Sequence, residues 1–358
     1  MKTLLILCGG RSDEHEISLI SAHCVLEALD RSLFTPVVVG ISKKGTWHLL
    51  DEKSFYTGGL RADTIKLNET GPTVMLAPFS KNGRGKLEAN GKAVEFDAVF
   101  PILHGPFGED GTLQGMLDMI GVPYVGANCG ASWNCMDKVI TKTICKENQI
   151  RTADFVALDS IEDFAPKKSK ILALGTPMFV KPARLGSSVG VSKVSDPSQL
   201  EAAVRTAFKY DGKILIERGV KGREIECAVL GLRQNAKASL PGEIVVSPKI
   251  GWYSYEAKYL LKDGAETLAP APLPEKTTKA VQEFVLKTFR AMECDGMARI
   301  DLFLEEKTDA LYLNELNTIP GFTPISMYPK MWEATGVAYP KLITELVRLG
   351  YERIGKPF

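Results

Sequence analysis

Two short polar patterns in the last quarter of the chain combine residue types that handle metal ions and negative charge. Arg299-Ile300-Asp301 and Glu315-Leu316-Asn317 each place two polar residues around one apolar residue. Because side chains alternate along a strand, each polar pair lies on one face, and two neighbouring strands bring all four residues together. Carboxylate and amide oxygens suit Mg²⁺, and an arginine beside them suits a developing anion.

The alternative is a solvated strand face held by salt bridges. Four leucines flank the two patterns, which predicts that both strands are central and buried: Leu302, Leu304, Leu311 and Leu313. Carboxylates in such a place are costly unless they have a partner. We therefore interpret the four polar residues as a metal- and anion-handling site.

A second pattern, FVKPARLGSSVG at 179–190, is rich in glycine and serine. Its backbone N–H groups and small side chains suit a phosphate, and Lys181 adds a positive charge. A plain polar hairpin turn has a similar composition. Residues 186–190 also match the G-x-S-x-G pattern of hydrolases, in which the catalytic histidine follows the serine. All four histidines here precede Ser188, which excludes that class.

The usual nucleotide-binding motifs are missing from the sequence. It contains neither G-x-x-x-x-G-K-[ST] nor G-x-G-x-x-G. The main sequence evidence for a P-loop enzyme or for a standard dinucleotide-binding site is therefore absent. The aromatic stretch 252–259 carries Lys258 and lies between two glycines. It fits a flap that covers a site and excludes water, and it fits an aromatic strand on a core equally well.

The elements that position these residues are predicted to form three units. Apolar runs at 3–8, 36–41 and 98–103, with a helix after the first, predict an α/β unit with a parallel sheet. Its polar loops 9–16 and 104–111 follow strands, at the edge where open α/β sheets bind ligands. Short strands and helices then predict a small α+β unit and a larger one. We place the three units at 1–128, 129–216 and 217–358.

Two predictions concern the connections within these units. A single helix is expected from 131 to 148, at the start of the central unit. Residues 42–95 are rich in Gly, Lys and Asn and are expected to form hairpins and an insertion. No chemistry is assigned to them.

Composition excludes several classes of protein. The 358 residues carry 44 Lys+Arg and 43 Asp+Glu, a net charge of +1, which is too little surplus for bulk binding of nucleic acid. No apolar run is long enough to span a bilayer, and the N-terminal apolar run is interpreted as a strand and not as a signal peptide. Seven cysteines without a C-x-x-C pattern indicate free thiols in a reducing cytoplasm.

Seven motifs in register make the chain resemble the D-alanine–D-alanine ligases of the ATP-grasp superfamily. In chain order they are GGRSDEHEIS (9–18), HGPFGEDGTLQG (104–115), MDK (136–138), VKPARLGSSVGVSKV (180–194), EAKY (256–259), ARIDLF (298–303) and NELNTIPGFT (314–323). The resemblance implies an ATP-grasp fold of mixed α/β and α+β class. An N-terminal parallel-sheet (preATP-grasp) domain precedes a small central domain and a larger C-terminal domain.

The resemblance also implies a reaction. ATP phosphorylates the carboxylate of one D-alanine, and the amine of a second D-alanine attacks the acyl phosphate and expels phosphate. The dipeptide feeds peptidoglycan synthesis. ATP and D-alanine are then the substrates, two Mg²⁺ ions are the cofactors with Mn²⁺ as a substitute, and a cytoplasmic homodimer is expected, with no nucleic-acid or membrane partner.

Site roles are carried over from the family position by position. Residues for the metal ions and the oxyanion are Asp301, Glu315, Asn317 and Arg299. Residues for ATP are Lys138, Lys181, Ser187, Ser188, Glu217, Glu224 and Lys258. Residues for D-alanine are Glu16, which takes the first ammonium group, together with His104, Gly321 and Ser326. Ser187 and Tyr259 are expected to pair with Glu16 and hold the flap shut.

Two alternatives stay open on the sequence. A non-catalytic ATP-binding relative has no need of the metal residues or of Arg299, which argues against it. A ligase with another acceptor, such as D-lactate, is opposed by Tyr259, since relatives that make D-alanyl-D-lactate have another residue there. Leu185 departs from the family, which often has an acidic residue at this position, and is expected to change loop packing only.

Overall fold

The computed structural model of the chain describes residues 1–77, 83–247, 264–323 and 325–358. The predicted flap at 252–259, with Lys258 and Tyr259, lies outside these ranges.

The N-terminal part is built on a four-stranded sheet in the order β3-β2-β1-β9. β1 is parallel to both of its neighbours, and β3 is antiparallel at the edge. The apolar run of β1 is buried because helices and loops cover both faces of a parallel sheet. This confirms the predicted α/β unit. Its elements are β1 (Lys2–Gly9), β2 (Phe34–Ile41), β3 (Trp47–Leu50), β9 (Ala98–Pro101), α1 (His15–Ala28) and α2 (Thr112–Ile120).

The described part of the 42–95 stretch forms small antiparallel sheets beside this unit, as predicted. One is a two-stranded hairpin and one has three strands. Their strands are β4 (Tyr56–Thr57), β5 (Lys66–Leu67), β6 (Val74–Leu76), β7 (Gly85–Ala89) and β8 (Lys92–Phe96).

The single helix predicted at 131–148 is wrong: the structure has two, α3 (Cys129–Met136) and α4 (Lys138–Glu147). Asp137 separates them because its carboxylate accepts hydrogen bonds from Val139 N (2.9 Å) and Ile140 N (3.2 Å) and so caps α4. Lys138 therefore stands in the first turn of a new helix.

The central part is an antiparallel sheet in the order β10-β13-β11-β12. Its elements are β10 (Phe155–Leu158), β11 (Met178–Pro182), β12 (Ser192–Val194), β13 (Ile214–Arg218), α5 (Phe164–Leu172) and α6 (Leu200–Ala207). The predicted boundary after residue 216 falls inside β13. Glu217 pairs with Phe155 on one side and with Phe179 on the other, so it belongs to this sheet.

The C-terminal part is an antiparallel sheet in the order β17-β16-β14-β18-β19, with β15 paired to β14. Its strands are β14 (Gly222–Gly231), β15 (Lys237–Ala238), β16 (Gly242–Val246), β17 (Ala265–Leu268), β18 (Gly296–Glu305) and β19 (Leu311–Asn317). Its helices are α7 (Glu275–Ala291), α8 (Met327–Ala334) and α9 (Tyr339–Arg353). α7 buries Val281, Val285 and Phe289 at helical spacing against the sheet.

A shared core joins the first part to the last. Leu4 and Phe100 of the N-terminal sheet lie in the same buried cluster as Tyr328 and Leu346 of the C-terminal helices. This packing fixes the N-terminal loops opposite the C-terminal sheet. All seven cysteines are free thiols. Within the described ranges, no helix is both long and apolar enough to cross a bilayer.

Candidate active site

Two adjoining cavities lie between the three parts of the chain. The first, of about 480 Å³, is lined by the central sheet and the C-terminal sheet. The second, of about 560 Å³, is lined by the N-terminal loops and the C-terminal sheet. Arg299, Glu226 and Glu315 line both cavities. A group bound in one cavity therefore adjoins a group bound in the other.

The four-residue pattern on β18 and β19 is assembled as predicted. Arg299 faces Asn317 and Asp301 faces Glu315 across the strand pair. The Arg299 guanidinium donates two hydrogen bonds of 2.8 Å, one to each carboxylate oxygen of Asp301. Asn317 Nδ2 donates to Asp301 Oδ2 at 3.1 Å. Strand alternation alone was enough to predict this grouping, but the prediction that both strands are central is wrong for β19, which lies at the edge of its sheet.

Arg299 stays charged although it is largely buried. Burial lowers the pKa of its guanidinium, but the carboxylates of Asp301 and Glu226 outweigh burial and raise that pKa well above its ordinary value. Glu226 Oε2 lies 3.1 Å from Arg299 Nε. Sequence reasoning missed Glu226. The signal was present, because Glu224 and Glu226 alternate on β14 and Glu226 pairs in register with Asp301.

The donor set at this place fits a hard divalent cation. Asp301 and Glu315 offer carboxylate oxygens and Asn317 an amide oxygen, which are Mg²⁺ and Mn²⁺ ligands. Among the described residues, no three His, Cys, Asp or Glu side chains form a metal-holding group by themselves. Two carboxylates and an amide leave positions for substrate oxygens, which is the usual way that proteins hold Mg²⁺ beside a phosphate.

Two predicted lysines reach the first cavity from different elements. Lys138 donates from Nζ to Leu185 O at 2.7 Å and lies 3.5 Å from a Glu315 carboxylate oxygen. Lys181, on β11, forms an ion pair with Glu217 and donates to Asn314 Oδ1 at 3.3 Å. Lys138 is thus held beside a carboxylate of the C-terminal sheet, and Lys181 is held between Glu217 of the central sheet and Asn314 of the C-terminal sheet.

The carboxylate of Glu217 is buried and forms ion pairs with two lysines. Lys142 Nζ lies 2.9 Å from Glu217 Oε2, and its side chain is 2% exposed. Burial raises the pKa of the Glu217 carboxyl, but the ammonium groups of Lys142 and Lys181 outweigh it and lower that pKa to about 2. Lys142 was missed in the sequence. It stands four residues after Lys138, on the same face of α4.

The glycine- and serine-rich loop joins the two cavities. Ser188 lines the first cavity and Ser187 the second. Both have left-handed backbone angles, with φ of 51° at Ser187 and 61° at Ser188. A non-glycine residue pays roughly 1–2 kcal/mol for this conformation, and such strain concentrates at functional sites.

The predicted pairing of Glu16 with Ser187 is wrong. Ser187 Oγ donates to Glu14 Oε1 at 2.5 Å, and Glu14 lines the second cavity. Glu16 instead forms a salt bridge of 2.7 Å with the exposed Lys43. α1 begins at His15. Two residues along a helix point about 200° apart, so the two glutamates face different ways.

His104, Gly321 and Ser326, the three residues predicted to bind D-alanine, line the second cavity. Burial lowers the pKa of His104, so its ring is neutral at pH 7. Nδ1 lies 2.9 Å from Ile319 O and must carry the proton, since a carbonyl only accepts. Nε2 then accepts from Ser21 Oγ at 3.2 Å.

Two features of the second cavity have no counterpart in the sequence reasoning. The loop Leu60-Arg61-Ala62-Asp63, between β4 and β5, forms part of its wall. No chemistry was predicted for the stretch 42–95, and its composition did not indicate that it would line a cavity. Glu109 also lines the cavity. It stands in the HGPFGEDGTLQG motif, but the motif assigned no role to it.

Family models cover most of the chain. The model described as "D-ala D-ala ligase N-terminus" matches residues 3–127, and "D-ala D-ala ligase C-terminus" matches residues 144–348. The chain belongs to the D-alanine–D-alanine ligase family.

Curated relatives of this family match nearly end to end. A D-alanine–D-alanine ligase of a Thermoanaerobacter species is 47% identical, over 98% of this chain and 97% of the relative. D-alanine–D-alanine ligase A of Escherichia coli is 42% identical, over 97% and 95%. The predicted family is therefore confirmed.

Solved structures of ligases share the fold. The D-alanine–D-alanine ligase of Coxiella burnetii superposes with a TM-score of 0.83 at 34% identity, over 99% of this chain and 96% of that one. The VanG D-Ala:D-Ser ligase of Enterococcus faecalis also gives 0.83, at 31% identity, over 98% and 99%. The predicted ATP-grasp fold class is confirmed by these relatives.

Proposed function

We propose that the chain ligates two D-alanines to D-alanyl-D-alanine with ATP, through an acyl phosphate. The observation that carries the proposal is the junction of the two cavities at Arg299 and Glu315. A nucleotide in the first cavity then presents its terminal phosphate to a carboxylate in the second. Phosphoryl transfer requires positioning and charge neutralisation, and the junction supplies both.

In the first cavity, Mg-ATP is the proposed occupant. At the wall that the two cavities share, Asp301, Glu315 and Asn317 would hold two Mg²⁺ ions, or Mn²⁺ in their place, which would supply charge neutralisation at the phosphate oxygens. Lys138 and Lys181 add positive charge at the phosphates. The residues assigned to the base, the ribose and the phosphate-facing loop are Glu217, Glu224 and Ser188, with Lys258 reaching the transferred phosphate.

The contacts of Glu217 oppose a direct role at the base. Its two carboxylate oxygens face Lys142 and Lys181. A direct hydrogen bond to the base therefore competes with two ammonium groups. We propose that Glu217 acts mainly by holding Lys181 at the wall of the first cavity.

In the second cavity, Glu14, and not Glu16, is the proposed partner of the first D-alanine. Its carboxylate binds the ammonium group of the first D-alanine while Ser187 orients it. His104, being neutral, helps to shape the cavity. Ser326 binds the carboxylate of the second D-alanine.

The reaction proceeds in two steps that these residues support. The carboxylate of the first D-alanine takes the terminal phosphoryl group of ATP, which leaves ADP. The amine of the second D-alanine attacks the acyl carbon and loses a proton. Arg299 and the Gly321 N–H stabilise the tetrahedral oxyanion, which collapses and expels phosphate.

The acceptor is the point on which relatives differ. One solved relative is described as a D-Ala:D-Ser ligase, so this fold accommodates D-serine in that protein. D-Lactate is the acceptor that Tyr259 opposes on sequence. We propose D-alanine, a cytoplasmic location and a homodimer. Seven free thiols are typical of a reducing compartment.

Substrate competition tests the proposal. Phosphate release with Mg-ATP is measured with D-alanine alone, and then with D-serine or D-lactate added, and the products are separated by mass. D-Alanyl-D-alanine is expected as the main product at pH 7.5. A mixed product in excess of the dipeptide would replace the proposed acceptor, and release with L-alanine as fast as with D-alanine would contradict the substrate class.

A further inference from the structure

The N-terminal loop 104–109 and the C-terminal segment 318–323 meet at the carboxylate of Glu109. Its Oε2 accepts a hydrogen bond from Gly105 N at 2.9 Å, and its Oε1 accepts one from Ile319 N at 2.7 Å. One side chain thus connects its own loop to a segment 210 residues away. Both donors are backbone groups, so the connection depends on the two carboxylate oxygens.

The same segment is held at further points. Ile319 O accepts the hydrogen bond from His104 Nδ1, so both polar groups of the Ile319 backbone are bound to the N-terminal loop. Phe322 N donates to Ser21 Oγ at 3.3 Å. Gly321 lies between these anchors and lines the second cavity. The position of its N–H is therefore set by contacts from the N-terminal part.

The surroundings of the Glu109 carboxyl disfavour its charged form. Burial and the nearby charge of Glu14 raise its pKa to about 8, against an ordinary value of 4.5. A second acid so close to Glu14 is costly for stability. Such groups concentrate at functional sites, where the cost is accepted for a specific geometry.

We propose that Glu109 is a positioning residue that places the Gly321 N–H for the oxyanion of the tetrahedral intermediate. This rests on the ligase activity proposed above. Both oxygens of Glu109 are engaged by backbone N–H groups, so we assign it a positioning role and not a catalytic one. It acts through the Ile319 backbone, and it makes the oxyanion site depend on the docking of the N-terminal part against the C-terminal part.

The test compares Glu109→Gln with Asp110→Asn. The glutamine keeps the size of the side chain but replaces one acceptor oxygen with an NH₂ group, which cannot accept from a backbone N–H. Asp110 is the matched control. Its carboxylate also binds backbone N–H groups, those of Phe107 (2.8 Å) and Thr112 (3.1 Å), and these contacts stay within the same loop and the start of α2.

Three quantities are measured for each folded variant: kcat with D-alanine, the Kd of ADP, and amide hydrogen exchange of residues 316–323 by mass spectrometry. Glu109→Gln is expected to lower kcat roughly 10- to 100-fold, because small displacements of a catalytic group cost this much. Exchange at 316–323 should accelerate, and the Kd of ADP should not change. Asp110→Asn should match the wild type in all three.

Several results would overturn the proposal. Unchanged kcat in Glu109→Gln would do so, and so would a fall in kcat with unchanged exchange at 316–323 or with an equal loss of ADP affinity. If Glu109→Gln fails to fold, Glu109→Asp replaces it. Aspartate keeps the carboxyl group but is one methylene too short to reach both N–H groups, so kcat should again fall with unchanged ADP affinity.

Failure of the proposed function is distinguishable from failure of this inference. A wild-type protein that releases no phosphate with D-alanine would remove the ligase assignment. Exchange at 316–323 does not depend on activity. Faster exchange in Glu109→Gln than in Asp110→Asn would then still support the connection, and equal exchange would refute it.

Discussion

Replacing Glu14 and Glu16 separately by glutamine gives the sharpest test of how the second cavity is built. The two residues stand at the start of the same helix, and the substitutions are chemically identical. Glu14 accepts a short hydrogen bond from Ser187 and lines the cavity. Glu16 pairs with Lys43, whose side chain is 59% exposed. Glu14→Gln should therefore damage catalysis, and Glu16→Gln should not.

The expected sizes follow from these surroundings. Hydrogen bonds to a charged group contribute about 1.5–3 kcal/mol, so losing one at the ammonium group of D-alanine should lower kcat/KM roughly 10- to 150-fold. An exposed salt bridge contributes about 0–1 kcal/mol, which limits the effect of Glu16→Gln to about fivefold at most.

The assay is continuous phosphate release at saturating Mg-ATP with D-alanine varied. The melting temperature and the Kd of ADP serve as controls for folding and for the first cavity, and both should stay unchanged in the two variants. A larger loss of kcat/KM in Glu16→Gln than in Glu14→Gln would refute the assignment of Glu14, and with it the orientation of the helix start.

Three further perturbations test other parts of the site. Arg299→Ala should lower kcat roughly 10²–10³-fold, as loss of one oxyanion donor does, while the Kd of ADP measured by calorimetry stays unchanged. A loss of ADP affinity as large as the fall in kcat would contradict the oxyanion role of Arg299. EDTA should abolish phosphate release, and Mg²⁺ or Mn²⁺ should restore it; activity that persists in EDTA would exclude the metal site. Lys142→Met should move acid unfolding, followed by circular dichroism, to higher pH; an unchanged midpoint would contradict the charge network.

The expected shift of acid unfolding to higher pH in Lys142→Met follows from the pKa of Glu217. Its pKa in the folded protein is about 2, below the ordinary 4.5, because two ammonium groups outweigh burial. Its charge therefore stabilises the fold above pH 4.5, by about 3 kcal/mol on conversion of the pKa difference, and this contribution is lost as pH falls towards 2. Removing Lys142 raises that pKa, so the loss begins at higher pH.

The grouping of polar residues on β18 and β19 was predictable because it depends on two local rules only. Side chains alternate along β18 and β19, and strands joined by a short connection tend to pair. Arg299, Asp301, Glu315 and Asn317 follow from these rules without knowledge of the rest of the chain. The loop at Ser187 and Ser188 was likewise identified from its composition.

Other features depend on where a helix begins, which sequence pattern defines poorly. The family motif was matched at Glu16, and only the structure, in which α1 begins at His15, shows that Glu14 is the glutamate that lines the cavity. The break at Asp137 was missed for a related reason. An aspartate inside an apolar helical pattern also fits a solvated helix face, and only its two capping contacts distinguish the two.

The residues that sequence reasoning missed act across long separations. Glu226 faces Arg299 from another strand, and Glu109 reaches a segment 210 residues away. Leu60 and its neighbours reach the second cavity only because the insertion folds back over it. No local pattern records the contacts of Glu109 and of the insertion, since they are set by the docking of the parts, whereas Glu226 lies in one sheet with Arg299 and was missed although it alternates with Glu224 on β14.

The stoichiometry of phosphate to dipeptide tests the central claim most directly. Purified protein is incubated with Mg-ATP and D-alanine, and released phosphate and D-alanyl-D-alanine are measured in the same samples. The two-cavity junction predicts one phosphate for each dipeptide and no phosphate release without D-alanine. Phosphate release without dipeptide, or no D-alanine-dependent release at any Mg²⁺ concentration, would contradict it.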